Sequence, residues 1–436
     1  MQSKIEQILI RLKKSGYEAY MVGGCVRDLL LGKEPDDYDI TTNALPDEII
    51  EVFKGYKTLS LGKRYGTITV IFEDETFEIT TYRTEQGYSD SRHPDKVMFS
   101  NRIEEDLTRR DLTINAMAMD KDIIDLHGGR DDLKNKIIRA VGNPDERFKE
   151  DALRMVRAIR FATVLDFQIE ECTFNSILEN SHLLKNVAPE RLKPEMNKIL
   201  LSDSPSRGLE LLARTKALKY ILEELYDCVG FEQRTKYHDK TVFEHIKCVV
   251  DSTEVNLKQR MAAMLHDVAK PKPFSLDENG QGHFYGHDEV GAEIAEKALR
   301  KFGYSKNFIK QVQTLIYEHM KVHEEMTDKA LRRQIRRVGV ENILDLYSLM
   351  LADRMCTIAD RDMDFLLNRR DRIKQLLKED TVKEKFLCLN GNDIKELGYS
   401  EGRQIGEILR YLEEIVLDKP QLNKKEYLIE ILKNRG

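Results

Sequence analysis

Two aspartates separated by one residue, Asp37 and Asp39, follow a glycine pair in the segment GGCVRDLLLGKEPDDYDITT (23–42). If Tyr38 lies in a strand, both carboxylates point to the same face of a sheet, because side chains alternate along a strand. Neighbouring carboxylates repel unless a cation lies between them, and Mg²⁺ takes oxygen ligands while keeping positions free for substrate phosphates. Glu78, in TFEITTYR, is a candidate third carboxylate. The pattern predicts a Mg²⁺ site for phosphoryl transfer, with an Asp-rich surface turn as the alternative.

The glycine pair, Gly23 and Gly24, is typical of a turn in which backbone N–H groups come close to a phosphate. Arg27 follows three residues later and can add positive charge to the same place. The turn therefore predicts a phosphate-binding site next to the acid pair.

Short strands must position these residues. In the first 140 residues, Val, Ile, Thr and Tyr dominate runs that end at Gly or Asp, which predicts a small mixed sheet with flanking helices. The runs are EAYMVGG, GTITVIF, TFEITTYR, INAMAMD and IIDLHGG. From about residue 145, apolar residues recur near every 3.6 positions, as in EDALRMVRAIRFATVL, which predicts helices to the C-terminus. The expected fold class is α+β, with a domain boundary near residue 230 where Pro, Gly and His cluster.

Composition excludes a membrane protein. The 436 residues are 33% charged and 41% hydrophobic, and no apolar run approaches the roughly 20 residues of a membrane span. Six cysteines occur without a CxxC pair, so we expect free thiols and a cytoplasmic protein. The net charge of −6 argues weakly against a polyanion partner, but net charge is a poor guide where basic residues cluster. The sequence does not indicate the oligomeric state.

Four motifs occur in a fixed order: GGCVRDLLLG, DDYDITT, RRDLTINAMAMD (109–120) and EDALRMVRAIRF (150–161). In these motifs the chain resembles the class II CCA-adding enzymes and bacterial poly(A) polymerases, and LNGNDIKELGYSEGRQIGEILRYLEE resembles the tail of the long CCA-adding enzymes. The resemblance implies a nucleotidyltransferase palm followed by helices that clamp the acceptor end of tRNA. The expected domains are a head (1–145), a neck that recognises the base (146–230), an HD-type body (231–360) and a tRNA-binding tail (361–436).

The resemblance also implies roles for single residues. It assigns the metals to Asp37 and Asp39. The remaining assignments concern phosphate and ribose: Gly24 and Arg27 for the triphosphate, Arg110 and Asp111 for phosphate and ribose with support from Asn115, and Arg157 and Arg160 as candidate phosphate contacts. For the last two arginines, an exposed charged helix face is the alternative.

Asp151 and Arg154 lie three residues apart, so they are neighbours on one face of a helix. A carboxylate accepts hydrogen bonds and a guanidinium donates them. Cytosine and adenine each present an amino donor beside a ring acceptor, whereas uracil and guanine present a carbonyl beside an N–H. Each buried polar group without a partner costs about 1–3 kcal/mol, which is enough for strong rejection. The pair predicts selection of CTP and ATP, with a plain salt bridge as the alternative.

Two segments distinguish CCA addition from polyadenylation. LGKRYGTITV (61–70) contains a Gly-Thr that the corresponding basic stretch of the poly(A) polymerases lacks. RTEQGYSDSRHPDKVMF (83–99) is a polar loop of the kind that the family associates with adding the terminal A. Its polar residues include Glu85, Tyr88, Asp90 and Arg92. We expect full CCA addition, with an A-adding specialist as the first alternative and a poly(A) polymerase as the second.

Basic residues cluster in LRRQIRRVG (331–339) and NRRDRIKQLLK (368–378). A solvated helix face is the alternative for any such run. We expect the arginines of the first run to contact tRNA phosphates: Arg332, Arg333, Arg336 and Arg337.

A second set of candidate ligands occurs in TVFEHIKC, MLHDVAK, FYGHDEVGA, YEHMKVH and MLADRM. It has the order of an HD phosphohydrolase domain: His245, His266, Asp267, His287, His319 and Asp353. Such ligands suit Mn²⁺, Ni²⁺, Co²⁺, Fe²⁺ or Zn²⁺ better than Mg²⁺. Metal-rich HD proteins often have His-His where this chain has His319-Met320, so the number of metals stays open. We expect hydrolysis of 2′,3′-cyclic phosphates or phosphomonoesters, with a purely structural helical domain as the alternative.

The leading hypothesis is a template-independent RNA nucleotidyltransferase that adds CCA to tRNA from CTP and ATP with Mg²⁺. Two hypotheses come from other classes: an HD phosphohydrolase whose head merely binds nucleotide, and a passive RNA-binding protein. Intact Asp37 and Asp39 argue against the first. The second would need neither set of carboxylates.

Overall fold

The computed structural model describes residues 2–86, 96–235, 239–321, 326–358, 363–379, 387–399 and 402–434. The chain divides into two compact units, Met1–Tyr226 and Asp227–Gly436. The division falls close to the break predicted near residue 230. The finer division into head, neck, body and tail stays a prediction.

The strands of the first unit are β1 (Ala19–Val22), β2 (Asp39–Thr42), β3 (Lys57–Leu59), β4 (Thr67–Phe72), β5 (Glu75–Thr81), β6 (Arg83–Gln86), β7 (Lys96–Phe99), β8 (Met117–Met119), β9 (Ile123–Asp125), β10 (Ile137–Ile138) and β11 (Gln168–Ile169). Seven of them form one sheet in the order β3-β4-β5-β2-β1-β8-β9. Within it β2 and β5 pair in parallel and the other neighbours are antiparallel. The mixed sheet expected from the β-rich runs is confirmed.

The helices of the first unit are α1 (Gln2–Lys14), α2 (Gly24–Leu30), α3 (Pro46–Val52), α4 (Ile103–Thr108), α5 (Gly129–Asn135), α6 (Pro144–Glu150), α7 (Leu153–Val164), α8 (Glu171–Asn180), α9 (Pro189–Leu200), α10 (Pro205–Arg214), α11 (Ala217–Ile221) and α12 (Glu223–Tyr226). Helix α4 packs its Ile103 and Leu107 into a buried cluster with Val22 of β1 and Tyr82. This packing holds the residues that follow α4, including the RRD motif, against the sheet.

The helices of the second unit are α13 (Val242–Asp251), α14 (Leu257–Leu265), α15 (His287–Lys301), α16 (Lys306–Glu318), α17 (Asp328–Val338), α18 (Ile343–Met355), α19 (Asp364–Lys378), α20 (Gly391–Glu396), α21 (Arg403–Asp418) and α22 (Lys425–Lys433), with a short hairpin of β12 (Ser275–Leu276) and β13 (Gly282–His283). Helix α13 begins with a capping box in which Thr241 and Glu244 bond each other's backbone N–H. The α+β fold class is confirmed.

The expectation that every cysteine is a free thiol is wrong for one pair. Cys248 and Cys356 form a disulfide with their Cα atoms 5.9 Å apart, although 108 residues separate them in sequence. Spacing along the chain carries no signal for a pairing of this kind, because it depends on how α13 and α18 pack. Within the described part of the chain, no helix is long and apolar enough to cross a membrane.

Candidate functional site

The acid pair lies where β2 begins. Strand β2 starts at Asp39, one residue later than a strand containing Tyr38 would, and Asp37 occupies the exposed bend before it. In the parallel pair of β2 and β5, Asp39 is the register partner of Glu78. Partners in register project on the same side of a sheet. The sheet therefore places the predicted third carboxylate beside Asp39.

The electrostatics of Asp39 reflect this crowding. Partial burial, followed by the charges of Asp37 and Glu78, raises the pKa of Asp39 to about 6, although the charge of Arg110 opposes the shift. A cation held between the carboxylates would remove the repulsion, and an all-oxygen donor set fits Mg²⁺. The chemistry of the donors is therefore that of a magnesium site.

Gly23 makes room for an arginine beside this site. Its φ of +80° is in the left-handed region, and a Cβ there would lie 3.0 Å from Nη1 of Arg110 and 3.9 Å from Oδ2 of Asp39. Helix α2 starts at Gly24, and Nη1 of its Arg27 donates to Oδ1 of Asn115 at 2.8 Å. The structure thus brings together the residues that the sequence predicts around the triphosphate.

Asp111 lies between these groups and α7. Its Oδ2 accepts from Nε of Arg157 at 2.6 Å, and its Oδ1 lies 3.5 Å from Nδ2 of Asn115. Burial opposes ionisation of Asp111, but Arg157 overcomes it and holds the pKa of that carboxyl at about 2. Asp111 is therefore a fixed negative charge and Arg157 is its ion-pair partner, while the phosphate contact of Arg157 stays a prediction.

Arg160 does not lie on an exposed helix face. It is 8% exposed, its guanidinium lies 3.8 Å from the ring centroid of Phe161, and Nε is 2.6 Å from Oε2 of Glu195. Both the expected phosphate contact and the alternative of a solvated charge require more exposure than this. The structure gives Arg160 a packing partner instead.

The prediction that Asp151 and Arg154 share one helical face is wrong. Helix α6 ends at Glu150, Asp151 is extended (φ −145°, ψ 105°), and a new helix, α7, begins at Leu153. The side chains of Asp151 and Arg154 also bond to different partners. The plain salt bridge between them is therefore not formed.

Asp151 and Arg154, the predicted base-reading residues, are each held by a different partner. Arg191 of α9 donates to both oxygens of Asp151, at 3.2 and 2.7 Å. Arg154 lies 2.6 Å from Oε2 of Glu150 and donates to the backbone oxygen of Arg109 at 3.2 Å. A carboxylate oxygen has a second lone pair and a guanidinium has five N–H groups, so both side chains keep capacity for a base.

The segment 83–99 begins and ends in strands that pair with each other as β6 and β7. Tyr88, Asp90 and Arg92 lie outside the described residues. Gly66, from the Gly-Thr of LGKRYGTITV, has φ +87°, and a Cβ there would lie 2.9 Å from Cε1 of Phe99 in β7. Because residue 66 is a glycine, Phe99 of β7 can pack against the turn that contains it.

The predicted HD ligands converge in the second unit. His245 lies on α13 and Asp353 on α18. His266 and Asp267 directly follow α14, His287 is the first residue of α15, and His319 directly follows α16. Candidate ligand atoms lie within 4.8 Å of one another in two groups that share Asp267: His245 with His266, and His287 with His319. Nε2 of His245 is 2.9 Å from Oδ1 of Asp353. The described residues thus include candidate metal-binding groups.

Three of these imidazoles have the same orientation. Nδ1 of His266, His287 and His319 lies 2.8, 2.7 and 2.5 Å from the backbone oxygen three residues earlier. A bond from Nδ1–H to that oxygen leaves the Nε2 lone pair free toward the cluster, which is the tautomer of a metal ligand. Burial, followed by the charge of His266, lowers the pKa of His319 to about 4 and keeps that ring neutral. Neutral imidazole is the form that ligates a metal.

The arginine run lies on α17 and is divided between two faces. Arg332 is 7% exposed and donates to the backbone oxygen of Leu417 at 3.1 Å, so its expected tRNA contact is not on the surface. The other arginines of the run are exposed, and each pairs with a glutamate: Arg333 with Glu414, Arg336 with Glu413 and Arg337 with Glu318.

Sequence reasoning missed several supporting residues. Arg191 lies 40 residues from Asp151, and nothing in its local pattern separates it from other helix arginines. Asp106 had a readable signal, because EEDLTRRD places an acid three and four residues before two arginines. Glu150 could also have been found, since it lies four residues before Arg154.

Comparison with known proteins gives matches along most of the chain. Family models match residues 19–139 (Poly A polymerase head domain), 166–228 (RNA and SrmB- binding site of polymerase A) and 287–432 (tRNA nucleotidyltransferase domain 2). A CCA-adding enzyme of Ligilactobacillus salivarius is 38% identical over 430 residues, which are 97% of this chain and 94% of that protein. The chain belongs to the CCA-adding enzyme family. It is a tRNA nucleotidyltransferase.

Further CCA-adding enzymes are also similar to this chain. The CCA-adding enzyme of Streptococcus thermophilus is 32% identical over 427 residues, 97% of this chain and 94% of that protein. The crystal structure of the Bacillus stearothermophilus CCA-adding enzyme in complex with CTP is 28% identical, has a TM-score of 0.76, and is matched over 99% of this chain and 98% of that chain. The predicted family is confirmed. The HD assignment stays a prediction.

Proposed function

We propose that this chain adds CCA to the 3′ end of tRNA from CTP and ATP, and that Asp151 and Arg154 read each base. The observation that carries the proposal is their separate anchoring by Arg191 and Glu150. It leaves one acceptor and one donor that each keep hydrogen-bonding capacity, as cytosine and adenine require. Relatives named CCA-adding enzyme, one of them solved in complex with CTP, support the same conclusion. We place the enzyme in the cytoplasm, where tRNA and nucleoside triphosphates occur.

In this proposal, different residues of the head hold the metal, the triphosphate and the ribose. Asp37, Asp39 and Glu78 would hold Mg²⁺, which, when bound, neutralises charge on the triphosphate and favours the ionised form of the attacking 3′-hydroxyl. Arg27 and Arg110 bind and orient the triphosphate, so that pyrophosphate is placed to leave. Because Asp111 is a fixed charge beside Asn115, it accepts a hydrogen bond from the ribose.

Nucleotide incorporation by the purified chain tests this function. Transcripts of tRNA that end before CCA, after CC and after CCA are incubated with Mg²⁺ and each labelled nucleotide in turn. We expect two additions of C and one of A, and no extension of the complete end. Addition of A alone would identify the A-adding specialist, and long A tails would identify a poly(A) polymerase.

The Asp39→Asn variant tests the metal site. Loss of a metal ligand removes several kcal/mol of transition-state stabilisation, so we expect at least a roughly 10³-fold lower rate of addition. Affinity for tRNA should stay within a few fold, because phosphate contacts do not depend on this carboxylate. An equal loss of tRNA binding and of rate would contradict the assignment.

We infer a second function for the second unit, a metal-dependent phosphohydrolase. The observation that favours it is the shared orientation of His266, His287 and His319 around Asp267. The imidazole and carboxylate donors fit Mn²⁺, Ni²⁺, Co²⁺, Fe²⁺ or Zn²⁺. A metal held there supplies Lewis acidity and an activated water. Its candidate substrates are 2′,3′-cyclic phosphates and phosphomonoesters at damaged tRNA ends.

Metal binding and hydrolysis test this second function separately. We expect the wild-type chain to retain one of these metals through dialysis, measured by mass spectrometry of the metal content, and to hydrolyse a nucleoside 2′,3′-cyclic phosphate or a generic phosphomonoester. The His266→Ala/Asp267→Ala variant should lose both properties and keep addition of C and A. His182→Ala, an exposed histidine of the first unit, is the control. Metal retention without any hydrolysis would indicate a structural metal site.

A further inference from the structure

A buried carboxylate lies behind the nucleotide site and takes no part in the chemistry described so far. Asp106, in α4, has a relative exposure of 0%. Its Oδ1 accepts from Nε and Nη2 of Arg109 at 2.9 and 2.7 Å. Its Oδ2 accepts from Nη2 of Arg110 at 3.3 Å and from Oγ1 of Thr41 at 3.2 Å. Both oxygens are thus occupied by groups that belong to, or lie next to, the predicted site.

The hydrogen bonds of Asp106 form a network with two branches, and the first branch connects Asp106 to the predicted triphosphate site. Arg110 is bonded to Asp106 through Nη2, and its Nη1 lies over Gly23 near the carboxylate of Asp39. Thr41 is two residues beyond Asp39 in β2 and so lies on the same face of the sheet. Asp106 therefore holds one terminal nitrogen of the Arg110 guanidinium, while the other lies beside Gly23 and Asp39.

The second branch connects Asp106 to the residues that are proposed to read the base. Arg109 is held by Asp106 through two hydrogen bonds, and its backbone oxygen accepts from Nη2 of Arg154 at 3.2 Å. Arg154 is the donor of the base-reading pair. A single buried carboxylate thus contacts Arg110, the predicted triphosphate ligand, directly and is connected to Arg154 through Arg109.

The network is charged although it is buried. Burial opposes ionisation of Asp106, but the guanidinium groups of Arg109 and Arg110 hold the pKa of its carboxyl below the ordinary value. A buried charge of this kind fixes the geometry of its partners, because each lost partner would leave an unpaired charge. Rigid placement of that sort is what catalysis of phosphoryl transfer requires.

We infer that Asp106 is a positioning residue for nucleotide addition, which orients Arg110 toward the triphosphate and, through Arg109, fixes Arg154 for the base. The inference rests on the proposed function of the head. It predicts that removing the charge of Asp106 weakens nucleotide binding without removing the metal ligands or the tRNA contacts.

The Asp106→Asn variant keeps the shape of the side chain and removes its charge. Measured by steady-state addition to tRNA, we expect the KM for CTP and for ATP to rise roughly 10-fold, with a smaller change in kcat and unchanged affinity for tRNA. Incorporation of UTP relative to CTP should rise several-fold, because Arg154 loses part of its support. Asp106→Glu, which restores the charge, should recover part of the KM effect.

A double-mutant cycle separates positioning from a general loss of structure. If Asp106 acts on the triphosphate through Arg110, then Asp106→Asn should change the KM by less than about twofold once Arg110→Ala is already present. Asp132→Asn is the matched control, since Asp132 is also buried and accepts from Arg139 and Thr113. That control should lower thermal stability and leave the KM for CTP unchanged.

The conservative Thr41→Val variant covers the case in which Asp106→Asn does not fold. It removes one hydrogen bond to Oδ2 of Asp106, and we expect a roughly two- to threefold rise in the KM for CTP. A folded Asp106→Asn variant with wild-type KM, an additive cycle, or a wild-type KM for Thr41→Val would each overturn the inference. Absence of CTP incorporation by the wild-type chain would instead overturn the proposed function, and the inference with it.

Discussion

In the proposed function, selection of the base depends on two side chains that are held by different partners. Arg191 holds both oxygens of Asp151, while Glu150 and a backbone oxygen hold Arg154. A mutual salt bridge would have to break before a base could bind, which would cost affinity. With separate anchors, donor and acceptor are already placed and only water has to leave. The placement of these two side chains would therefore set the specificity for the base.

Replacement of either reader should change specificity more than rate. For Asp151→Ala or Arg154→Ala, we expect discrimination against UTP and GTP to fall about 10- to 100-fold, because one polar group of the wrong base no longer faces a like group of the enzyme. Single-turnover incorporation of each nucleotide measures this. Glu146→Ala, an exposed residue of α6, is the control. Unchanged exclusion of UTP and GTP would show that these residues do not read the base.

At the scale of elements, helix α17 presents cations that are already paired. Arg333 and Arg336 contact Glu414 and Glu413 of α21, and Arg337 contacts Glu318 of α16. The first two pairs are exposed and contribute about 0–1 kcal/mol each, so a phosphate can displace the glutamate at little cost. Glu318 is buried and accepts two hydrogen bonds from Arg337, so this arginine is held in place. The exposed pairs therefore leave tRNA binding by α17 open, with Arg333 and Arg336 and without the buried Arg332.

Neutralising the exposed arginines tests that surface. In the Arg333→Gln/Arg336→Gln variant, we expect weaker tRNA binding and a plot of log affinity against log salt that is flatter by about 2, because fewer counterions are released. Glu414→Gln should have the opposite effect and tighten binding, since it frees Arg333. An unchanged salt slope would mean that α17 faces solvent in the complex.

For the molecule as a whole, the two units carry separate sets of catalytic candidates, and a covalent bond constrains the second one. Cys248 lies three residues after His245 on α13, and Cys356 lies three residues after Asp353, at the end of α18. The disulfide therefore joins the two helices whose His245 and Asp353 are in contact. It closes a loop that includes the remaining candidate ligands.

The Cys248→Ser variant tests the contribution of that bond. Because the bond closes a long loop of the unfolded chain, its loss should lower the free energy of unfolding of the second unit by about 2–4 kcal/mol. Denaturation with and without a reductant measures this, and Cys388→Ser, which changes an exposed free cysteine, is the control. Identical denaturation curves under reducing and oxidising conditions would contradict the prediction.

The strands, the helices and most residues of the candidate site could be predicted from the amino-acid sequence alone. Alternation and helical periodicity are local properties, so β4, β5 and the change to helices after residue 145 could be predicted from short windows. Motif spacing was sufficient to propose Asp37 and Asp39 as metal ligands and to propose the order of the HD ligands, which the fold brings together. Local pattern gave a wrong prediction where a helix breaks, at Asp151, because a one-residue extended junction leaves the apolar period almost unchanged.

The contacts between side chains that are distant in sequence depend on the tertiary structure. Arg191 reaches Asp151 across 40 residues, Arg110 lies over Gly23, and Cys248 pairs with Cys356 across 108 residues. None of these contacts follows from spacing, since each depends on the packing of elements that are distant in sequence. Burial has the same origin: Arg332 and Arg160 look like surface cations in the sequence, and they are buried because other helices cover them.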